Sequence, residues 1–139
     1  MKHQTSSEKE TLKFAKEYTR KLKGGEVVGL IGDLGAGKTV FTKGLAIGLG
    51  IKNTITSPTF VLMKVYPVKK HKQIKQFVHI DAYRLKSAKD LEVIGALEYF
   101  DRSDSVVVIE WADRVKKTLP KKVTFITMEH NGNSRRINY

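Results

Sequence analysis

Residues 32–39 read Gly-Asp-Leu-Gly-Ala-Gly-Lys-Thr, a match to the G-x-x-x-x-G-K-[ST] pattern that few folds accommodate. The pattern carries meaning only where a buried strand breaks into a turn and a helix follows at once. Both conditions hold on paper. Val27, Val28, Gly29, Leu30 and Ile31 form the short apolar run of a buried strand, and Phe41, Leu45 and Leu49 share one face of a helix predicted from Lys38 to about Gly50. Glycines suit such a turn because backbone N–H groups must close around phosphate oxygens without Cβ atoms in the way. The candidate cradle runs through Gly32, Asp33, Leu34, Gly35, Ala36, Gly37, Lys38, Thr39 and Val40. Lys38 would bridge the β- and γ-phosphates, Thr39 would offer its hydroxyl to Mg²⁺, and the helix N-terminus would add partial positive charge.

A phosphate loop of this kind needs a carboxylate near the metal, carried at the end of a neighbouring buried strand. Glu110 follows Val106-Val107-Val108-Ile109 and Asp81 follows Phe77-Val78-His79-Ile80. Glu110 is the candidate metal acid and Asp81 the candidate for orienting the attacking water or holding a metal-bound water; either alone is also what an ordinary loop start looks like. Ser57 and Thr59, in Ser57-Pro58-Thr59, suit a segment that senses a γ-phosphate, or a plain extended loop. Trp111 suits stacking on an adenine base or core packing equally well. A histidine inside an alternating strand, as His79 is, is more often structural than functional. Arg84 and Arg114 lie just beyond the two acids, as cationic stabilisers or as partners of surface carboxylates.

The remaining segments set the fold class. Ser7 and Glu10 have capping-box spacing, and Leu12, Ala15, Tyr18 and Leu22 recur at helical intervals until Gly24 and Gly25. A strand is predicted over residues 60–66, and a hairpin turn joins it to a strand around residues 77–80. Ser87 is placed to cap a helix running to about Phe100, and residues 123–128 and 137–139 read as closing strands around Asn131-Gly132. Alternating strands and helices predict a three-layer α/β domain of P-loop NTPase type, with a mixed, largely parallel central sheet. At 139 residues, with no linker or repeat, the whole of 1–139 is read as one domain. Cysteine is absent, which excludes disulfides and thiolate metal sites and fits a cytoplasmic setting. No apolar stretch reaches membrane-spanning length, and the polar start does not look like a signal peptide.

At this point four segments together resemble one family: residues 32–39, Ser57-Pro58-Thr59-Phe60, His79-Ile80-Asp81-Ala82-Tyr83-Arg84-Leu85 and Glu110-Trp111-Ala112-Asp113-Arg114. They are similar to TsaE (YjeE), the small bacterial P-loop ATPases of tRNA threonylcarbamoyladenosine synthesis. The resemblance implies a protein that binds ATP and ADP with Mg²⁺ and docks on the TsaB–TsaD heterodimer. It would support modification of the tRNA adenosine 3′ of the anticodon, position 37, without itself transferring the threonylcarbamoyl group. Carried over by motif, Lys38 holds phosphates, Thr39 and Glu110 serve Mg²⁺, Asp81 supports hydrolysis, Thr59 belongs to a switch-like segment and Trp111 lies beside the nucleotide. The chain is short for that family and more basic than expected.

The charge admits competing readings. With 26 Lys+Arg against 14 Asp+Glu the formal net charge is +12, which fits contact with tRNA or simply a solvated basic surface. Residues 64–75 hold five lysines and His71 without an acid, either a solvated hairpin tip or an approach to tRNA phosphate within a complex. A small-molecule P-loop kinase is the runner-up, although only six arginines are present and no long lid insertion separates the motifs. A purely nucleic-acid-binding module would leave the phosphate loop and both acids unexplained.

Overall fold

The computed structural model describes residues 1–58 and 62–139. Its first helix, α1 (Glu8–Tyr18), begins as its sequence signature requires: Glu10 N–H donates to Ser7 Oγ (3.1 Å) and Ser6 N–H to Glu10 Oε2 (2.7 Å). The α-helix stops at Tyr18, short of the glycines expected to end it, and passes through a 3-10 turn at Thr19–Lys21. Leu22 therefore reaches the core from extended backbone. β2 (Val27–Ile31) and α2 (Lys38–Gly48) flank the glycine-rich turn, as expected. α2 lies close against α1 because it presents Gly44 and Gly48 there; a Cβ on Gly44 would come within 2.6 Å of the Leu12 carbonyl oxygen.

The next hairpin is β3 (Met63–Pro67) with β4 (Gln76–Asp81), antiparallel and in register from Met63↔Ile80 to Pro67↔Gln76. Of the strand predicted over 60–66, Phe60 and Val61 lie outside the described residues, and β3 starts after Leu62, whose φ is +62°. The helix predicted from Ser87 to Phe100 is broken instead into α3 (Asp90–Val93) and α4 (Leu97–Phe100). Gly95 at φ +81° turns the chain between them. The Ser87 hydroxyl makes no cap to α3; the Asp90 carboxylate accepts from the Lys86 and Ser87 N–H groups instead (2.9 and 3.3 Å).

β5 (Ser105–Glu110) is buried along its entire length, as the Val-Val-Val-Ile run requires of a central strand. A 3-10 segment follows at Ala112–Thr118. β6 (Thr124–Asn131) and β7 (Ser134–Asn138) form the closing hairpin, turning at Gly132 with φ +63°. β1 (Lys2–Thr5) pairs antiparallel with β7, a strand too short and polar for its periodicity to announce.

The sheet order is β1-β7-β6-β2-β5-β4-β3. The central ladders β6·β2, β2·β5 and β5·β4 are parallel, and the outer ladders antiparallel, so the sheet is mixed around a parallel centre. Helices α1 and α2 cover one face, where Phe41 and Leu45 meet Leu30, Val108 and Ile126. α3, α4 and the 3-10 segment cover the other, with Leu91 and Val115 on Val107 and Ile109. The three layers match the expected fold class. Each fully buried large side chain, such as Phe41, contributes ~1.5–3 kcal/mol of transfer free energy. Among the described residues no helix is long and apolar enough to cross a membrane.

Candidate functional site

Parallel strands direct their C-terminal ends to one edge of the sheet, where loops converge on a crevice. Here β2 delivers the glycine-rich turn and β4 and β5 deliver the two acids, Asp81 standing opposite Glu110 in register. The turn needs its glycines for two reasons. Gly35 and Gly37 have φ of +79° and +100°, and a Cβ on Gly32 would lie 2.5 Å from the Met128 carbonyl oxygen. Ala36 N–H closes the turn onto the Asp33 carbonyl (3.1 Å), and Phe41 N–H bonds the Gly37 carbonyl (2.9 Å), so α2 starts directly beneath.

Lys38 folds back over this turn. Its Nζ donates to the carbonyl oxygens of Gly32 (2.5 Å) and Asp33 (2.8 Å) and lies 4.0 Å from the centre of the Trp111 ring. Burial pushes the Lys38 ammonium below its ordinary pKa, against the opposing pull of Glu110, Asp33, Asp113 and Asp81. Trp111 holds this position through a left-handed backbone, φ +60°. Its indole also meets the Tyr83 ring (centroids 4.9 Å apart), and the Arg114 guanidinium lies 5.1 Å from the Tyr83 ring. Trp111 thus covers the lysine amine, and Arg114 joins it at the rim.

Glu110 is 2% exposed and uses both carboxylate oxygens. Oε1 accepts from Thr39 Oγ1 (2.8 Å), and Oε2 faces His79 Nε2 at 2.5 Å. Thr39 Oγ1 is also 3.2 Å from Ser57 Oγ. The opposite nitrogen of the fully buried His79, Nδ1, has no hydrogen-bond partner among the described residues. A carboxylate only accepts, so Nε2 is the protonated nitrogen of this pair. Asp81 Oδ1 accepts from Tyr83 N–H (3.0 Å). Burial raises the Asp81 pKa above the ordinary carboxylate range; the Tyr83 N–H works against that shift and Glu110 adds to it.

One cleft of about 280 Å³ gathers Leu34, Gly35, Gly37, Lys38, Thr39, Val40, Ser57, Asp81, Glu110 and Trp111 from the sequence-selected residues. Gly32 and Asp33 instead hold Lys38 through their carbonyls, and the Ala36 side chain is buried. Thr59 lies outside the described residues. The cleft also takes in Tyr83, which lies in the 79–85 segment but was given no role there, and Glu8 and Arg135, which no motif marked. Glu8 and Arg135 come from opposite ends of the chain and meet only through β1·β7 pairing, so no local pattern could reveal them. His79 was legible in principle, because it sits two residues before Asp81 and so on the same face of β4.

The donor set suits a hard cation. One hydroxyl at the start of α2, Thr39, and one carboxylate at the end of β5, Glu110, are the protein share that Mg²⁺ takes when phosphates and water supply the rest. Among the described residues no group of three or more His, Asp or Glu is arranged to hold a metal by itself. The glycine-rich turn, with Gly35 and Gly37 at positive φ, leaves its backbone free to approach phosphate oxygens closely.

Known proteins match nearly the whole length of this chain. The family model for Threonylcarbamoyl adenosine biosynthesis protein TsaE matches residues 5–137. The tRNA threonylcarbamoyladenosine biosynthesis protein TsaE of Borreliella burgdorferi is 39% identical over 130 residues, covering 93% of this chain and 91% of that protein. Its counterpart in Treponema pallidum is 44% identical over 122 residues, covering 88% and 86%. The crystal structure of Bacillus subtilis YdiB superposes with a TM-score of 0.77 at 34% identity, covering 99% of this chain and 82% of the other.

Proposed function

The chain belongs to the TsaE family of tRNA threonylcarbamoyladenosine biosynthesis proteins, and we propose that its part in that process is to bind and hydrolyse ATP. The Thr39–Glu110 hydrogen bond carries this reading, since it joins the loop hydroxyl to a buried acid on another strand where a metal-bound triphosphate would need both. Bound Mg²⁺, held by Thr39 and Glu110, would neutralise developing charge on the β- and γ-phosphate oxygens. Lys38 would exchange the Gly32 and Asp33 carbonyls for phosphate oxygens, which restores full favour to its charged form. The Trp111 ring over its amine excludes water from that contact. Asp81, with one oxygen held by the Tyr83 N–H, orients the attacking water, and its raised pKa brings it closer to the value useful for accepting a proton. ADP and phosphate are the products, in a cytoplasmic cycle coupled to the TsaB–TsaD heterodimer and through it to tRNA.

ATP turnover measured with the chain alone and with TsaB–TsaD tests this. Stimulation by the heterodimer is expected, and Glu110→Ala should leave nucleotide bound while lowering turnover by about 10²–10³-fold, as loss of a preorganised charge contact does. Wild-type turnover by Glu110→Ala would remove the acid from the site.

A further inference from the structure

The parallel strands β2, β4, β5 and β6 all begin at the end of the sheet away from the phosphate loop. The segments leading into them, 19–26, 68–75, 101–104 and 119–123, carry ten of the chain's cations and only three acids. All ten cations are exposed. Two of the acids are already engaged: Glu26 accepts from the Lys23 and Gly24 N–H groups (2.7 and 2.8 Å), and Asp104 pairs with Arg102 (3.0 Å). Topology has placed there a net +7 of the formal +12.

The four segments form one continuous surface. Lys75 N–H bonds the Asp104 carbonyl and Gly25 N–H the Ser105 carbonyl, each at 2.7 Å. A shallow cavity of about 680 Å³ runs between Gly24, Arg102 and the Lys121-Lys122 pair. The lysine-rich turn is fixed in place, because Val68 and Ile74 are buried and His71 Nδ1 accepts from the Gln73 and Ile74 N–H groups (3.1 and 2.9 Å). Presenting charges on an ordered turn lowers the entropy lost on binding. At the other end of the sheet the carboxylates of Asp33, Asp81, Glu110 and Asp113 gather around Lys38, within the candidate nucleotide site. The two ends are about 20 Å apart, the length of a six-residue strand.

We propose that this basic end of the sheet docks the phosphate backbone of tRNA, while the loop end keeps the nucleotide. Eight of the ten cations are lysines, point charges that suit backbone contact without base readout. The choice of tRNA rests on the family and is independent of the hydrolysis reading.

Fluorescence anisotropy of an unmodified tRNA transcript with the full chain, between about 50 and 200 mM salt, tests the assignment. K69E/K72E/K121E is compared with K9E/K13E/K16E, which makes the same charge change on exposed positions of α1. The first variant should bind at least tenfold more weakly with a shallower salt slope, the second within about twofold of wild type, and both should bind adenine nucleotide as wild type does. If circular dichroism shows the first variant misfolded, K69A/K72A/K121A should give the same ranking. Equal losses in both variants, no measurable binding of tRNA by the wild type, or tighter binding of polyglutamate than of tRNA would each overturn it, the last in favour of an acidic protein surface. Normal nucleotide binding throughout separates such a failure from a failure of the ATPase reading.

Discussion

The Thr39 hydroxyl donates to Glu110 Oε1 across 2.8 Å, although 71 positions separate the two residues in the chain. The other oxygen of the same carboxylate is taken by His79 from the neighbouring strand. With both oxygens committed, Glu110 has one orientation, and that orientation faces the start of α2.

His79 is therefore expected to act as a positioning residue. His79→Phe keeps the volume and removes the donor, leaving a buried carboxylate oxygen unsatisfied at a cost of about 1–3 kcal/mol in stability. Turnover should fall about 10–100-fold, as when the partner orienting a metal ligand is lost. Nucleotide affinity should hold, and His79→Gln, which keeps an N–H, should recover part of kcat. Steady-state kinetics beside nucleotide titration makes the check; a kcat unchanged in His79→Phe removes the role.

Lys38 sits between two carbonyl oxygens and an indole face, a space shaped for an ammonium. Lys38→Arg retains charge but brings a planar fork, so it should weaken nucleotide binding nearly as much as Lys38→Ala does, by at least about tenfold. Calorimetry with ATP and Mg²⁺ reads this directly. Wild-type affinity in Lys38→Arg would mean that charge alone suffices.

The contact between α1 and α2 sets helix propensity against space. Alanine is favoured over glycine inside a helix by about 1 kcal/mol, so propensity alone says that Gly44→Ala stabilises. The added Cβ would lie 2.6 Å from both the Leu12 carbonyl oxygen and the Ala15 Cβ, and the first is backbone that cannot swing aside. Overpacking of this kind costs about 1–3 kcal/mol, so a net loss is expected in urea denaturation. A higher midpoint in the variant would show that α1 shifts freely.

Much of the site was legible because its parts lie next to local signals. The glycine pattern lies between a strand and a helix, and an acid ends each of two apolar runs, so Lys38, Thr39, Asp81 and Glu110 could be named before their distances were known. Trp111 was legible as a rim residue but not as the cover of Lys38, because positive φ is uncommon outside glycine and nothing at a tryptophan position signals it. Arg135 and Glu8 reach the cleft from the last hairpin and the first helix turn, a meeting set by sheet order alone. The break at Gly95 is hidden for a different reason: Leu91, Ile94 and Leu97 carry an apolar helical pattern past a glycine that the chain uses to turn.

The raised Asp81 pKa makes a prediction about pH in the nucleotide-free protein. Burial disfavours the charged carboxylate in the folded state, so between the unfolded and the folded pKa the native state binds more protons than the unfolded one. Stability attributable to this group therefore falls as pH rises through that window, and the full penalty is present above the folded pKa. Asp81→Asn removes the charge and retains an oxygen for the Tyr83 N–H. It should raise Tm at pH 7, and the gain should vanish below the ordinary Asp pKa of about 3.9, where both proteins are neutral at this position. The same variant should lose most of its turnover at pH 7, so stability and hydrolysis move in opposite directions. Thermal melts across that pH range decide the matter: a gain that persists undiminished in acid would show that packing, not charge, is responsible.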